Sequence, residues 1–343
     1  MKSVINEYKK VSGQLVNFDK SLIYFSSNVG PETQIQVGGI LGVRISNNSE
    51  KYLGLPTIVG QQKKHAFVHI KERFLKLLNN WSLRFLLTGG KEVFLKSILQ
   101  AILIYAMQCF KLSASFCLEL ESIMSKFWWQ NSKTNKGIHW CKWSDLCIPK
   151  ANGGLGFRDL EKFNLAMLAK QGWKIITQPH CLFARVMKAK YFPRGDFLSA
   201  GLGSYPSFTW QSIWSARQIL EDGIGWRVGN GESINIWSDS WVPIPRSGRV
   251  QCQNIDIRYT TLSDLIDKDT ITWKQDTIRS LFGEEQLKSI LSIPLVSSRS
   301  HDQLIWRGDN IGEYTVKSGY KWINATGNSR LYIDRPTSFY TKP

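Results

Sequence analysis

Residues 140–164, WCKWSDLCIPKANGGLGFRDLEKFN, combine two tryptophans, two cysteines and a glycine cluster that runs into a helix-like segment. The cluster could be a phosphate-binding loop, half of a metal site, or a tight turn in a large helical protein. A phosphate-binding loop needs a preceding strand and often a closing Lys-Ser or Lys-Thr pair. Gly153, Gly154 and Gly156 have neither. The pattern therefore favours a tight turn, with Asp159 as the N-cap of the following helix.

The metal interpretation would rest on His139, Cys141 and Cys147. A Cys-x5-Cys spacing is not that of a zinc knuckle, and no second ligand pair follows at a suitable distance. The six cysteines of the chain include no CxxC pair, which is typical of free, mostly buried thiols in a reducing compartment. The sequence therefore predicts no metal site in this chain.

Helical periodicity extends in both directions from this stretch. Leu165, Leu168 and Trp173 share one apolar face, and Phe67, Ile70, Phe74, Leu77 and Leu78 share another. The sequence predicts helices over 63–78, 91–110, 115–129, 159–178, 181–191, 261–291 and 317–323, and one more within 206–220. The chain is therefore predicted to be mainly helical.

Strands are predicted in short pieces. Residues 14–18, 22–25 and 51–55 are strand candidates. A Gly-Asn-Gly turn between 224–228 and 233–237 predicts a hairpin, and a second hairpin is predicted from 304–306 and 314–316. The predicted fold class is therefore α+β, mainly helical, with a small hairpin-rich C-terminal segment.

The charge is the strongest global signal. Lys and Arg total 44 against 27 Asp and Glu, which gives a net charge of +17. Such a field attracts polyanions, with nucleic acid the first candidate and an anionic membrane surface the second. The most apolar run, 98–110, is too short to cross a bilayer. Without a signal peptide, the chain is expected in the nucleus or cytoplasm and not in a membrane.

No catalytic centre is visible. Two-metal phosphoryl transfer needs converging carboxylates, but the chain contains no Asp-Asp pair and its acidic residues are scattered. Asp239 is expected to be a turn residue. The histidines lie in no nucleophile motif. The sequence therefore predicts no catalytic residue.

A basic surface is predicted instead. Positive side chains of the helix over 63–78 face away from its apolar stripe, and further cations continue this surface along the chain. The predicted phosphate contacts are Lys63, Lys64, Lys71, Arg73, Lys76, Arg84 and Lys91. An ordinary solvated helix face is the alternative interpretation.

Long motifs in a fixed order resemble one family. They are SGQLVNFDKS at 12–21, KYLGLP at 51–56, WSLRFLLTGGKEVFLKSILQAILIYAMQCFKLS at 81–113, FWWQ at 127–130, HWCKWSDLCIPKANGGLGFRDLEKFNLAMLAKQGW at 139–173, WRVGNGESINIWSDSWVP at 226–243 and GEYTVKSGYKW at 312–322. Together they are similar to the part of a plant LINE-type, non-LTR retrotransposon reverse transcriptase that follows its catalytic palm.

The resemblance implies a domain order. Residues 1–60 would be the end of the palm, 61–130 a helical thumb, 131–223 a helical connector, and 224–323 a hairpin-rich segment leading into a zinc-binding-type module. Residues 324–343 lack periodicity and are predicted to be a disordered tail. Tyr52, Leu53 and Gly54 would lie at the primer grip, and the partners would be an RNA template and a DNA primer. The family uses Mg²⁺. The catalytic Asp-Asp strand would precede Met1 and the Cys/His cluster would follow Trp322, so the chain alone is expected to be inactive and without a cofactor.

Two other interpretations remain open at this point. The chain could be a retroelement relic that serves as a protein-interaction module, with its exposed aromatic residues contacting a partner. It could also be a truncated product without a function.

Overall fold

The computed structural model describes residues 2–25, 28–46, 51–52, 55–56, 66–80, 86–130, 137–243, 248–250, 255–295 and 300–326. Within these ranges the chain forms two compact units, residues 1–76 and 77–343. The described part is mainly helical with small two-stranded sheets, which agrees with an α+β class. The predicted tail at 324–343 lies almost wholly outside the described residues.

The first unit contains short elements. In chain order they are α1 (Lys2–Ser12), β1 (Leu22–Tyr24), α2 (Pro31–Leu41), β2 (Arg44–Ser46), β3 (Lys51–Tyr52), β4 (Leu55–Pro56) and α3 (Val68–Asn80), the last of which runs across the boundary between the units. Strand β1 pairs with β2 in parallel, and β3 pairs with β4 antiparallel. The predicted strand at 22–25 is confirmed, whereas 14–18 is not a strand. Helix α2 was not predicted.

The second unit begins with a segmented helical stretch. It comprises α4 (Thr88–Phe94), a π-helical turn (Leu95–Leu99), α5 (Gln100–Ile102) and α6 (Ile104–Cys109), followed by α7 (Ala114–Trp129). A π-helical turn adds a residue to the local hydrogen-bond ring, so the predicted helix over 91–110 is realised as successive segments. The next elements are α8 (Trp143–Leu146), a 3₁₀ turn (Lys150–Asn152), α9 (Leu160–Thr177) and α10 (Leu182–Tyr191).

Helix α9 is the central element of the second unit. Its predicted apolar face is confirmed, and Ala166 and Met167 are buried as well, so the helix is surrounded by protein on most of its circumference. Buried Asn164 fixes its position against the end of α6: the side-chain amide donates to the carbonyl oxygens of Met107 and Phe110, and its oxygen accepts from the Leu112 N–H at 2.8 Å.

The C-terminal part corrects the hairpin prediction. Its elements are α11 (Phe208–Trp214), α12 (Arg217–Gly223), β5 (Ile224–Arg227), a 3₁₀ turn (Leu262–Leu265), β6 (Ile266–Asp267), β7 (Thr272–Trp273), α13 (Gln275–Leu291), β8 (Gln303–Trp306) and α14 (Val316–Thr326). Neither predicted hairpin forms. Strand β5 instead pairs antiparallel with β8, with Ile224 opposite Trp306. A different hairpin, β6 with β7, occupies part of the region predicted as helix over 261–291.

The second unit contains two hydrophobic clusters. One cluster contains residues of the helices α9, α10, α11, α12 and α14 and of the strands β5 and β8. It surrounds the buried side chains of Trp173, Trp210 and Trp306. The other gathers residues between Val228 and Ile290 around Trp241 and Trp273. The abundant tryptophans therefore serve largely as core residues. No described helix has both the length and the apolar composition needed to span a bilayer.

Candidate nucleic-acid interface

Helix α3 carries three of the predicted phosphate contacts. Ile70 and Phe74 are buried, as the helical periodicity predicts. Arg73 and Lys76 are exposed and Lys71 is half-buried. Residues three apart are neighbours on a helix surface, so the Arg73 guanidinium and the Lys76 ammonium share one exposed face, together with the exposed carboxylate of Glu72.

Lys91 does not belong to an exposed basic surface. Its side chain is 7% exposed, and its Nζ donates to the carbonyl oxygens of Trp128 and Gln130, the latter at 2.6 Å. Burial lowers the pKa of the Lys91 ammonium, since the charged form is disfavoured away from water. The prediction that Lys91 contacts phosphate is therefore wrong for this structure. The lysine instead caps the C-terminus of α7.

The other predicted site residues are only partly within the described chain. Tyr52 lies on β3, where it pairs with Leu55. Leu53, Gly54, Lys63, Lys64 and Arg84 lie outside the described residues. The structure therefore brings together Lys71, Arg73 and Lys76 on one helix.

The glycine cluster of 153–156 is a backbone turn. The Leu155 N–H donates to the Leu146 carbonyl oxygen and the Gly156 N–H to that of Ile148 at 2.8 Å. A phosphate loop needs such N–H groups free to face the ligand, whereas these face other parts of the chain. Gly153 adopts a left-handed conformation with φ of 90°, as a tight turn requires.

A lysine–carboxylate cluster braces this turn. The Lys96 ammonium donates to the Leu155 carbonyl oxygen at 2.7 Å and also pairs with Glu92, which in turn pairs with Lys150. The two lysines lower the pKa of the Glu92 carboxyl. These charges hold the turn against α4 and are satisfied within the protein.

The aromatic residues of the same stretch divide into two kinds. Trp143 stacks on Phe157 with 5.0 Å between ring centroids, and its indole N–H donates to the Arg158 carbonyl oxygen. Trp140 is exposed. Trp143 therefore packs against the protein and is half-buried, whereas Trp140 lies on the surface.

The N-terminus of α9 is capped from three elements. Asp159 accepts from the Lys162 N–H, which confirms the predicted N-cap. From α7, Glu121 Oε1 accepts from the Leu160 N–H at 2.8 Å, and from α14, the Tyr320 hydroxyl accepts from the Asp159 N–H. Capping of this kind satisfies the free N–H groups of a helix start. The N–H groups of Asp159, Leu160 and Lys162 are therefore satisfied within the protein.

Glu121 borders a cleft of about 720 Å³ beside residues 139–145. Burial raises the pKa of its carboxyl to about 7, while the hydrogen bond from Leu160 acts in the opposite direction. Burial also raises the pKa of the Cys147 thiol, and Glu121 adds to that effect. Within the described residues, no group of three or more His, Cys, Asp or Glu side chains is arranged to hold a metal ion. Glu121 therefore acts here as a capping residue.

Other acidic side chains are also structural. Asp239 accepts from the Asn235 N–H at 2.7 Å, which confirms it as a turn residue. Asp145 accepts from the Lys142 N–H, and Asp264 from those of Thr260 and Thr261. These carboxylates each close a local turn.

One basic region was missed in the sequence. Helix α10 and the turn after it carry four exposed cations, Arg185, Lys188, Lys190 and Arg194. The signal that could have found it is a long run of sequence without an acidic residue, from Lys162 to Gly195.

The described fold and surface are those of a mainly helical α+β protein with basic helices on its surface. The chain belongs to the same family as the uncharacterized mitochondrial protein AtMg00310 of Arabidopsis thaliana. The two are 41% identical over 150 residues, which cover 42% of this chain and 97% of that relative.

A longer relative covers more of the chain. The putative ribonuclease H protein At1g65750 of Arabidopsis thaliana is 27% identical over 283 residues, or 78% of this chain. The match spans only 44% of that relative's length. No protein-family model matches the chain. Both relatives are consistent with a transposon-derived protein. Their names do not specify a reverse transcriptase, so that assignment stays a prediction.

Proposed function

We propose that the chain is a nucleic-acid-binding protein of retroelement origin, and that α3 holds the phosphate backbone of an RNA–DNA template–primer. The observation that carries this proposal is the exposed pair of Arg73 and Lys76 on a helix whose opposite face buries Ile70 and Phe74. A helix anchored in this way presents its cations at fixed positions, which reduces the entropy lost when they contact phosphates.

The global charge supports the same conclusion. A net charge of +17 creates a field that attracts polyanions over distances of about a Debye length. The longer relative carries the name of a ribonuclease H, an enzyme that acts on nucleic acid. Contacts to the backbone carry no sequence information, so the proposal is for binding without base specificity.

The proposal keeps the domain order given by the resemblance: 1–60 as the end of a palm, 61–130 as a thumb, 131–223 as a connector and 224–323 as the segment before a zinc-binding-type module. Tyr52, Leu53 and Gly54 are assigned to the primer end. By the resemblance, Mg²⁺ would belong to the chemistry of the parent enzyme, and this sequence contains no Asp-Asp pair.

The test is a fluorescence-anisotropy titration of a labelled RNA–DNA hybrid with the full chain. The variant K71E/R73E/K76E is compared with K268E/K288E/K321E, a control that reverses three other exposed lysines and changes the net charge equally. We expect the first variant to bind more than about tenfold more weakly than the control at low salt. Equal affinities would show that only the overall charge matters, and a wild-type chain that does not bind the hybrid would refute the function. Tight binding to a protein partner without affinity for nucleic acid would favour the interaction-module interpretation.

A further inference from the structure

A second charged surface lies in the unit formed by residues 77–343. From Lys162 to Gly195 the chain contains no Asp or Glu, although acidic residues number 27 in the whole sequence. The cations of this stretch are Lys162, Lys170, Lys174, Arg185, Lys188, Lys190 and Arg194. A segment with one sign of charge cannot neutralise itself locally and attracts an external polyanion.

Four of these cations form what we call the α10 basic face: Arg185, Lys188, Lys190 and Arg194. All four are exposed. None of them forms an ion pair with a carboxylate of the described residues. The acidic residue that follows them, Asp196, accepts hydrogen bonds from the Ser199 N–H. The positive charge of this face is therefore not compensated within the described chain.

The helix that carries this face is firmly anchored. Ala184 and Phe192 are buried in the cluster around Trp210. The Tyr191 ring stacks on the Trp210 ring with centroids 4.7 Å apart, and the Tyr191 hydroxyl donates to Ser207 Oγ at 2.7 Å. Because the backbone is already ordered, ligand binding does not have to fix it. The backbone positions that carry the cations are thus already set before a ligand binds.

Apolar and aromatic groups are exposed next to these cations. Leu182 is 74% exposed and Val186 is 54% exposed, four residues apart on α10. Tyr205 is 95% exposed and lies two residues before Ser207, which the Tyr191 hydroxyl contacts at the end of the helix. Single-stranded nucleic acids are bound by cations that follow the backbone and by aromatic rings on which bases stack. A duplex keeps its bases stacked inside, so it would leave these groups unused.

We infer that the α10 basic face and Tyr205 bind a single strand of RNA or DNA, with phosphates on the four cations and a base stacked on the Tyr205 ring. The inference rests on the proposed nucleic-acid binding of the chain but uses other residues than those of α3. It adds a binding mode for a single strand, such as the unpaired part of a template, to the proposed binding of a duplex.

The experiment measures the anisotropy of a labelled single-stranded RNA of mixed sequence with the full chain. The variant R185Q/K188Q/K190Q/R194Q is compared with K268Q/K288Q/K317Q/K321Q, which removes the same charge from other exposed lysines. We expect more than about tenfold weaker binding for the first variant only. Its plot of log association constant against log salt concentration should be shallower by about 3 units, since each of the four lost phosphate contacts on a single strand accounts for about 0.7. Circular dichroism checks that both variants fold.

The stacking of a base on the Tyr205 ring is tested by substitution of this residue. Loss of one stacked base costs about 1 kcal/mol or more, so Y205A should weaken single-strand binding at least about fivefold, whereas Y205F should not. Equal behaviour of the two quadruple variants, or full affinity of Y205A, would overturn the inference. So would a preference of this face for vesicles of anionic lipid or for an acidic peptide. If the hybrid still binds through α3 in those cases, the inference alone fails; if no nucleic acid binds, both proposals fail.

Discussion

The carboxylate of Asp302 accepts a hydrogen bond of 2.7 Å from the backbone N–H of Gly229, across 73 positions of sequence. The same oxygen accepts from the Gly231 N–H and the second oxygen from the Ser233 N–H, both at 2.9 Å. The segment 229–233 is therefore folded around an anion supplied by the protein itself. Backbone amides arranged in this way resemble an anion-binding nest, and here Asp302 occupies it.

Replacement of Asp302 should destabilise the second unit. D302A leaves three N–H groups without their carboxylate, and we expect a loss of about 2–4 kcal/mol in the free energy of unfolding. Urea denaturation followed by tryptophan fluorescence measures it. The control is D269A at an exposed position, which should change stability by less than about 0.5 kcal/mol. Similar values for the two variants would contradict the role assigned to Asp302.

Gly154 is required by close backbone packing. A Cβ atom at this position would lie 2.1 Å from the Ile148 carbonyl oxygen, and backbone atoms cannot move aside as a flexible side chain can. We expect G154A to cost about 1–3 kcal/mol or more. At Gly201 a Cβ would meet no atom within 4 Å, so G201A serves as the control. Comparable melting temperatures for G154A and wild type would show that the backbone turn at 153–156 has room for a Cβ atom at this position.

Glu121 should make stability depend on pH. Burial in the folded protein raises the pKa of the Glu121 carboxyl to about 7, so the folded state binds the proton more tightly than the unfolded state. The stabilisation is complete below about pH 4.5 and is lost as the pH rises through about 7. E121Q, which keeps an oxygen acceptor for Leu160, should therefore gain up to about 3 kcal/mol relative to wild type between pH 5 and 8.

The measurement is a series of urea denaturations across this pH range, for wild type, E121Q and E285Q. Glu285 is exposed, so E285Q should follow the wild-type profile. A wild-type profile that stays parallel to that of E121Q would exclude a raised pKa at Glu121.

Local signals in the sequence predicted much of the helical structure. The helices α7, α9 and α10 and the N-cap Asp159 could be predicted from periodicity and capping, because these signals depend on residues a few positions apart. The hairpins were predicted wrongly because the partner of β5 is β8, with Ile224 opposite Trp306. A turn signal such as Gly-Asn-Gly cannot reveal a partner that far along the chain, nor that Asp302 would hold the turn.

The site was predicted less completely than the fold. Arg73 and Lys76 are exposed as the helical pattern requires, but Lys91 is buried against Trp128 and Gln130. Sequence gives a lysine's charge but not the carbonyl oxygens that a fold brings to it. The cations of the α10 basic face lie in a stretch of sequence without Asp or Glu, which the sequence alone shows. Their exposure, and the anchoring of α10 through Tyr191, depend on tertiary packing.

If α3 binds the phosphate backbone of nucleic acid, binding of the hybrid should depend strongly on salt concentration. The logarithm of the association constant is measured against the logarithm of salt concentration for wild type and K71E/R73E/K76E. We predict a steep negative slope for wild type and a slope about 2–3 units shallower for the variant, about one unit for each lost phosphate contact. Binding of the wild-type chain that does not change with salt, or identical slopes for the two proteins, would contradict the claim.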